Sequence, residues 1–315
     1  MGSPVRKVCL VGASGTVGSA ILSELLAARC FIVSVLRRST SSSVPRQTEA
    51  IASILSVSPA FDTDELSQAL VGQDAVVAAF PVSDVGQHLR LAEAAARAGV
   101  LRFIPADFGS CDASNSFAQE CAQLYRDKMR IRGYCGELAA RSATFSWTSL
   151  VCGHLFDKDL YEGYLRFHLD TCSAEIFDGG HDRASSSTLR RIGQAVVSVL
   201  RDHLEETCNR TLFIQSFNPT QAEILAALEQ ATSKTWRTKH IDSDVFLERQ
   251  RRRFEEGNED ALEEIVFVLG TRDADWSHKD SFANRLLGLE NENLDNVVSQ
   301  VVAKHARAGK EPPRD

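Results

Sequence analysis

Long apolar runs are missing from this 315-residue chain. No stretch approaches the roughly 18 consecutive apolar residues of a membrane-spanning helix, and the N-terminus leads into a first strand without a signal-peptide pattern. Positive charge is scarce too. The net charge is −7, and no basic cluster is long enough to follow a nucleic-acid backbone, which argues against DNA or RNA as a partner. The densest basic run, Arg249 to Arg253, stands among Glu248, Glu255 and Glu256 and reads as a solvated helix face. Eight cysteines show neither C-x-x-C nor metal-ligand spacing, so they read as reduced, several of them as core filler, and no metal site is expected. A Gly-x-Ser-x-Gly elbow, a His-Glu-x-x-His helix and a Walker lysine are all absent, which removes support for hydrolase, zinc-protease and phosphoryl-transfer chemistry. A cytoplasmic enzyme acting on a small molecule, as a monomer or homodimer, is the expectation.

What is present begins with Gly12-Ala13-Ser14-Gly15-Thr16-Val17-Gly18, set between the apolar run Val8 to Val11 and a helical run from Thr16 to Ala28. Strand, glycine turn and helix is the context in which such glycines bind a dinucleotide. Gly12 turns the chain tightly, Gly15 lets backbone approach a pyrophosphate, and Gly18 lets helix pack on strand. The free amides at the helix start face the anion. The next strand, Phe31 to Leu36, is followed by Arg37 and Arg38, where an NAD-selective site would carry an acid. A guanidinium there suits a 2′-phosphate, with Arg37 the better candidate, so NADPH is favoured as cofactor.

A βα rhythm continues: a weak third strand at Ala50–Leu55, a helix at Asp62–Leu70, a strand at Ala75–Ala79 and a helix at Gly86–Ala98 closed by Gly99. A strand at Leu101–Ile104, a long helix from Phe117 to Ala140 and a strand at Ser146–Val151 follow. This predicts an α/β Rossmann fold with a doubly wound parallel sheet. After residue 152 the rhythm loosens. The expected division is an NADP(H)-binding domain at 1–152 and a smaller, mostly helical substrate-binding lobe at 153–308, partly interwoven with the sheet, with a flexible tail at 309–315. Ligands of such sheets lie beyond the carboxyl ends of the strands. Ala79, Phe80 and Pro81 are therefore expected near ribose and adenine, and Ala106, Asp107 and Phe108 near the nicotinamide. Gly109, His154, Phe156, Tyr161 and Tyr164 are candidates for a substrate pocket, with a core role the alternative for His154 and the aromatics.

The glycine turn and the basic strand end, together with Ala98-Gly99-Val100-Leu101-Arg102-Phe103-Ile104-Pro105-Ala106-Asp107-Phe108-Gly109, resemble the NmrA-like, isoflavone-reductase branch of the atypical short-chain dehydrogenases. Asp178-Gly179-Gly180 and Leu189-Arg190-Arg191-Ile192-Gly193-Gln194-Ala195 are similar to further segments of that family, and Phe217 to Glu229 resembles its fungal members. The likeness singles out Lys128, on the helix after Gly109, as the catalytic lysine, also placed beside the cofactor. By pattern alone it is one more charge on a helix. Tyr125 stands one residue too close to it for the Tyr-x-x-x-Lys pair of the main short-chain dehydrogenases. Ala106 departs from the family's serine, Arg191 from its aspartate, and Val151 to Phe156 from the pattern of the plant enzymes. The resemblance implies an NADPH-dependent reductase of a conjugated or aromatic metabolite. The alternatives are a redox-sensing regulator without turnover and a non-redox cyclase or isomerase that keeps the cofactor pocket.

Overall fold

The computed structural model describes residues 5–43, 48–272 and 274–308; the expected tail at 309–315 lies outside them. In chain order come β1 (Lys7–Val11), α1 (Thr16–Ala27), β2 (Ile32–Arg38), β3 (Ser53–Val57), α2 (Thr63–Leu70), β4 (Ala75–Ala78) and α3 (Val85–Arg97). β5 (Arg102–Ile104), α4 (Ser116–Cys121), α5 (Gln123–Arg141), β6 (Ser146–Val151), β7 (His154–Leu155), α6 (Phe156–Glu162), β8 (Phe167–His168) and β9 (Ser173–Phe177) follow. The rest is β10 (Ser186–Ser187), α7 (Leu189–Arg201), β11 (Arg210–Phe213), α8 (Gln221–Thr232), β12 (Arg237–Ile241), α9 (Ser243–Glu255), α10 (Ala261–Thr271) and α11 (Leu294–Ala308).

The described residues form a seven-stranded parallel sheet in the order β11-β6-β5-β4-β1-β2-β3, the doubly wound arrangement the βα rhythm predicts. β1 and β4 are buried almost end to end because helices cover both faces, hence their unbroken apolar runs. α1 and α7 close one face around Leu10, Ile21, Leu25 and Val196, while α2, α3 and α5 close the other around Leu66, Val76 and Leu91. Helix ends follow the local chemistry. Asp62 accepts from the amides of Asp64 and Glu65 to start α2, and Asp84 starts α3. Gly99, at φ +78°, ends the latter turn.

Four expectations shift. β2 runs on through Arg37 and Arg38, so both arginines lie within the strand, in register with Ser56 and Val57. The third strand forms at Ser53–Val57, after a short 3-10 turn at Thr48–Ala50, rather than at 50–55. The single helix expected over 117–140 is two, because Ala122 is extended (φ −144°, ψ 133°). Alanine is the best helix former, so no local signal marks this break; the buried packing of Ala118, Cys121 and Tyr125 overrides propensity. The loosely patterned 153–180 stretch holds β7, α6, β8 and β9, and β9 sits between β8 and β12 in a second, three-stranded sheet. That sheet packs with α8 to α11 around Phe167, Phe177, Leu228 and Val268 to form the second lobe.

Candidate active site

The glycine turn is shaped by close approach. Gly12 has φ +88°, and a Cβ there would stand 2.4 Å from the Ala79 carbonyl oxygen at the end of β4. A Cβ on Gly18 would stand 2.1 Å from the Gly12 carbonyl oxygen, so α1 is seated directly on the turn. Gly15 differs: its nearest neighbour would be 3.4 Å away, and it opens α1 with no side-chain cap. The first amides of α1 therefore have no side-chain acceptor from the cap residue.

Beside this turn lies a cleft of about 310 Å³ that brings together Gly12, Ser14, Gly15, Arg37, Arg38, Ala79, Phe80 and Pro81. Arg38 is exposed, whereas Arg37 is partly buried and its Nε has no hydrogen-bond partner among the described residues. Sequence reasoning did not find Ser41, Ser43, Phe61 and Gln87, which also line the cleft. It also did not find His88, whose ring stacks on Phe80 at 4.0 Å and whose Nε2 donates to the Pro81 carbonyl at 3.1 Å. Burial lowers the His88 pKa, opposed by its bond to Pro81 and by the charge of Asp84. Thr16 instead borders a wider cleft of about 770 Å³ shared with Ser14, Gly15 and Tyr161. Val17 packs into the core and Gly18 is buried beneath the helix.

A second cluster forms on the loop after β5. Lys128, near the start of α5, is only 8 % exposed, and its Nζ donates to the Asp107 backbone carbonyl at 2.7 Å. The Asp107 carboxylate turns inward rather than toward a ligand. Its Oδ2 accepts from Arg132 Nε at 2.5 Å and from Ser149 Oγ, while Oδ1 has no hydrogen-bond partner among the described residues and lies 3.8 Å from Lys128 Nζ. Burial lowers the Lys128 pKa, opposed by the field of Asp107. Gly109 leaves room over the amine, since a Cβ there would come within 2.9 Å of Nζ. Phe108 takes φ +35°, a left-handed conformation that non-glycine residues rarely adopt. Ala106 is buried in the core beneath. Tyr125 is also fully buried; burial pushes its phenol well above the ordinary range, and its ring faces Lys128 Nζ at 5.8 Å.

The remaining substrate-pocket candidates separate. His154, directly beyond β6, borders a small chamber of about 40 Å³ walled by Leu165, Phe167, Phe177, Ile224 and Phe267. Its Nε2 makes no direct hydrogen bond among the described residues, and burial, opposed by the Gly270 backbone, lowers its pKa to about 4. Phe156 is fully buried edge-on against Phe217, a core position rather than a pocket wall. Tyr164 is 41 % exposed under Lys158, at 4.5 Å. Tyr161 faces the wide cleft, with Lys304 Nζ 4.5 Å from its ring. Arg191, the departure from the family aspartate, is structural: it is buried, bonds to the Glu290 carbonyl, and lies 3.7 Å from Glu292.

A parallel sheet with a glycine turn on its first strand and a cleft at the strands' carboxyl ends defines a Rossmann-type α/β protein. The chain belongs to the NmrA-like family, which it matches over residues 4–304. It is 29% identical over 300 residues to oxidoreductase aprR of Aspergillus flavus, covering 94% of this chain and 98% of that one. It is equally 29% identical over 303 residues to oxidoreductase poxI of Penicillium oxalicum, with 92% of each chain covered. Among solved structures it is similar to AtPrR2 with NADP+ and (+)-pinoresinol (TM-score 0.74, 20% identity, 94% of this chain and 99% of that one). It is also similar to the leucoanthocyanidin reductase–NADPH complex from Vitis vinifera (TM-score 0.73, 16% identity, the same coverage). These two likenesses establish the fold. Among the described residues no helix is long and apolar enough to cross a membrane, and no group of His, Cys, Asp and Glu is placed to hold a metal ion.

Proposed function

We propose that this protein is an NADPH-dependent reductase of a small conjugated or aromatic metabolite, with a C=C, C=N or quinone-methide-like acceptor. The observation that carries the reading is Lys128: a buried amine held by a backbone carbonyl, opened by Gly109, at the carboxyl end of the sheet whose first strand carries the glycine turn. The residues present fit the cofactor. Gly12, Gly15 and the uncapped start of α1 would cradle its pyrophosphate, and the unpartnered Arg37 Nε would meet its 2′-phosphate. NADPH, when bound, supplies a hydride. Lys128 supplies the proton at Nζ or polarises the acceptor by hydrogen bonding, and its lowered pKa brings that transfer nearer neutral pH. The names of the two fungal relatives and the ligands of the two solved structures support this reading.

The first test is a titration with NADPH and NADH followed by nicotinamide fluorescence. NADPH is expected to bind more tightly, with the preference falling about 10- to 100-fold in Arg37→Ala, the worth of a charge-assisted hydrogen bond. Failure of both nucleotides to bind would end the reductase reading. With an acceptor from a screen of conjugated aromatics, Lys128→Ala is expected to lower kcat about 100-fold or more while leaving NADPH binding in place. Product formed without NADPH consumption would favour the cyclase or isomerase alternative.

A further inference from the structure

We propose that Arg132 is a positioning residue for Lys128: by engaging the Asp107 carboxylate, it keeps that carboxylate out of a close ion pair with the ammonium, so that the proton on Nζ stays available for transfer. The inference rests on the reading of Lys128 as the proton-carrying group.

The geometry is one of division. Lys128 and Arg132 stand one turn apart on α5 and both reach back to Asp107. Arg132 takes the side chain: Nε and Nη2 each lie 2.5 Å from Oδ2, which also accepts from Ser149. Lys128 is left the backbone carbonyl of the same residue, at 2.7 Å, and stands 3.8 Å from Oδ1. Arg132 is itself held from the other side, with Nη1 3.5 Å from Asp112 Oδ1 and 3.7 Å from Met129 Sδ. Asp112 is shared in turn with Lys279 at 3.3 Å. Arg132 thus bridges two carboxylates, which a planar guanidinium does and an ammonium does not. A lysine in a tight buried pair with a carboxylate holds its proton strongly; one bonded to a neutral carbonyl, with a guanidinium nearby, holds it less.

Every charged or titratable group facing Lys128 bears on this. Asp107, Cys111 and Cys152 favour its charged form and Arg132 opposes it, while burial acts against the charge from all sides. Asp112 and Lys279 act through Arg132, and Tyr125 presents its ring from the same helix. Loss of Arg132 removes an opposing cation and frees the Asp107 carboxylate to rotate onto Lys128. Both changes raise the lysine.

The test is an NMR pH titration of the full chain labelled with 13Cε-lysine. The chain has eight lysines, and the Lys128 signal is assigned by its absence in Lys128→Arg. The Lys128 midpoint is expected to be lowest in the wild type, higher in Arg132→Lys, and higher by about one pH unit or more in Arg132→Gln. Arg132→Lys keeps the buried charge and so guards against a variant that does not fold; if Arg132→Gln loses its far-UV circular dichroism, the conservative variant decides alone. A role for Arg132 in holding the loop in place without tuning the lysine would leave the midpoint where it is. An unchanged or lowered midpoint in the folded variants overturns the proposal. The readout needs no turnover, so its failure is separable from that of the reductase reading, which nucleotide binding and Lys128→Ala test.

Discussion

His154 shows what burial does to one residue. Its ring is 5 % exposed, wedged where a Cβ on Gly270 would come within 2.7 Å, and its Nε2 makes no direct hydrogen bond among the described residues. Burial lowers its pKa to about 4, so the native state excludes a proton that the unfolded chain takes up at about 6.5. A folded pKa below the unfolded one contributes stability that is full above about 6.5 and is lost as pH falls toward about 4. Between pH 7 and pH 5 the wild type should therefore lose about 2 kcal/mol of unfolding free energy on this account. Urea melts of wild type and His154→Gln at both pH values check it; equal pH dependence in the two proteins would remove His154 as the cause. Gly109 supplies a second test at this scale. Gly109→Ala crowds Lys128 Nζ without touching the cleft beside the glycine turn, so on the proposed reading kcat is expected to fall about tenfold or more with NADPH affinity kept. The glycine turn and the placing of Arg37 beside it were legible in the sequence, because a glycine-rich strand–helix turn and a basic residue at the next strand's end stand at fixed offsets from their strands. Lys128 was not legible in pattern alone. Its burial depends on Gly109 and Asp107, some twenty residues earlier, and on Ser149 beyond them, a proximity that only the fold creates. His88 was missed for the same reason: its stacking on Phe80 joins the start of a helix to the end of a strand.

At the scale of elements, the β1–α1 turn holds one glycine that packing requires and another with open space around it. Gly18→Ala forces a methyl against the Gly12 carbonyl, and since that contact seats α1 on the sheet, a loss of about 2 kcal/mol or more in stability is expected. Gly15→Ala meets nothing closer than 3.4 Å at an ordinary φ of −74°, so its stability should stay within about 1 kcal/mol of wild type. The added methyl nevertheless sits where the pyrophosphate is proposed to lie, and NADPH affinity should fall about tenfold or more. Thermal melts paired with fluorescence titrations read the two effects separately; equal loss of both properties in the two variants would contradict this division. The strands and helices of the sheet were visible in the sequence because each buries a continuous apolar run or stripe. The second lobe was less visible. β7, β8 and β10 are each two residues long, too short for any periodicity, and β12 exposes most of its side chains. Only its pairing with β9 makes it a strand.

At the scale of the whole molecule, the two halves of the chain are one structure. β11, from residue 210 onward, pairs in parallel with β6 and extends the sheet past the point where the first 152 residues end. α7 lies so close to α1 that a Cβ on Gly193 would stand 2.6 Å from Glu24 Cγ and 2.9 Å from the Ala20 carbonyl oxygen. The chain then returns over the β11 edge. The Phe213 amide donates to the Ser281 carbonyl at 3.0 Å, the Ala283 amide donates back to Phe213 at 2.8 Å, and the fully buried Trp276 packs its ring 5.2 Å from that of Phe213. A fragment ending at residue 152 would leave β6 as a bare edge and the α7-facing side of α1 apolar and uncovered. It is expected to aggregate or to lack a cooperative transition, whereas the full chain should unfold in one step. Trp276→Ala probes the connection from the far side: truncating this ring should cost about 3–5 kcal/mol. The β11 edge it supports is part of the same sheet as β1 and β4, which flank the proposed NADPH cleft, so loss of secondary structure and release of NADPH are expected to share one midpoint in urea. Two separated midpoints would show that the halves unfold independently and that the sheet stands without its C-terminal cover.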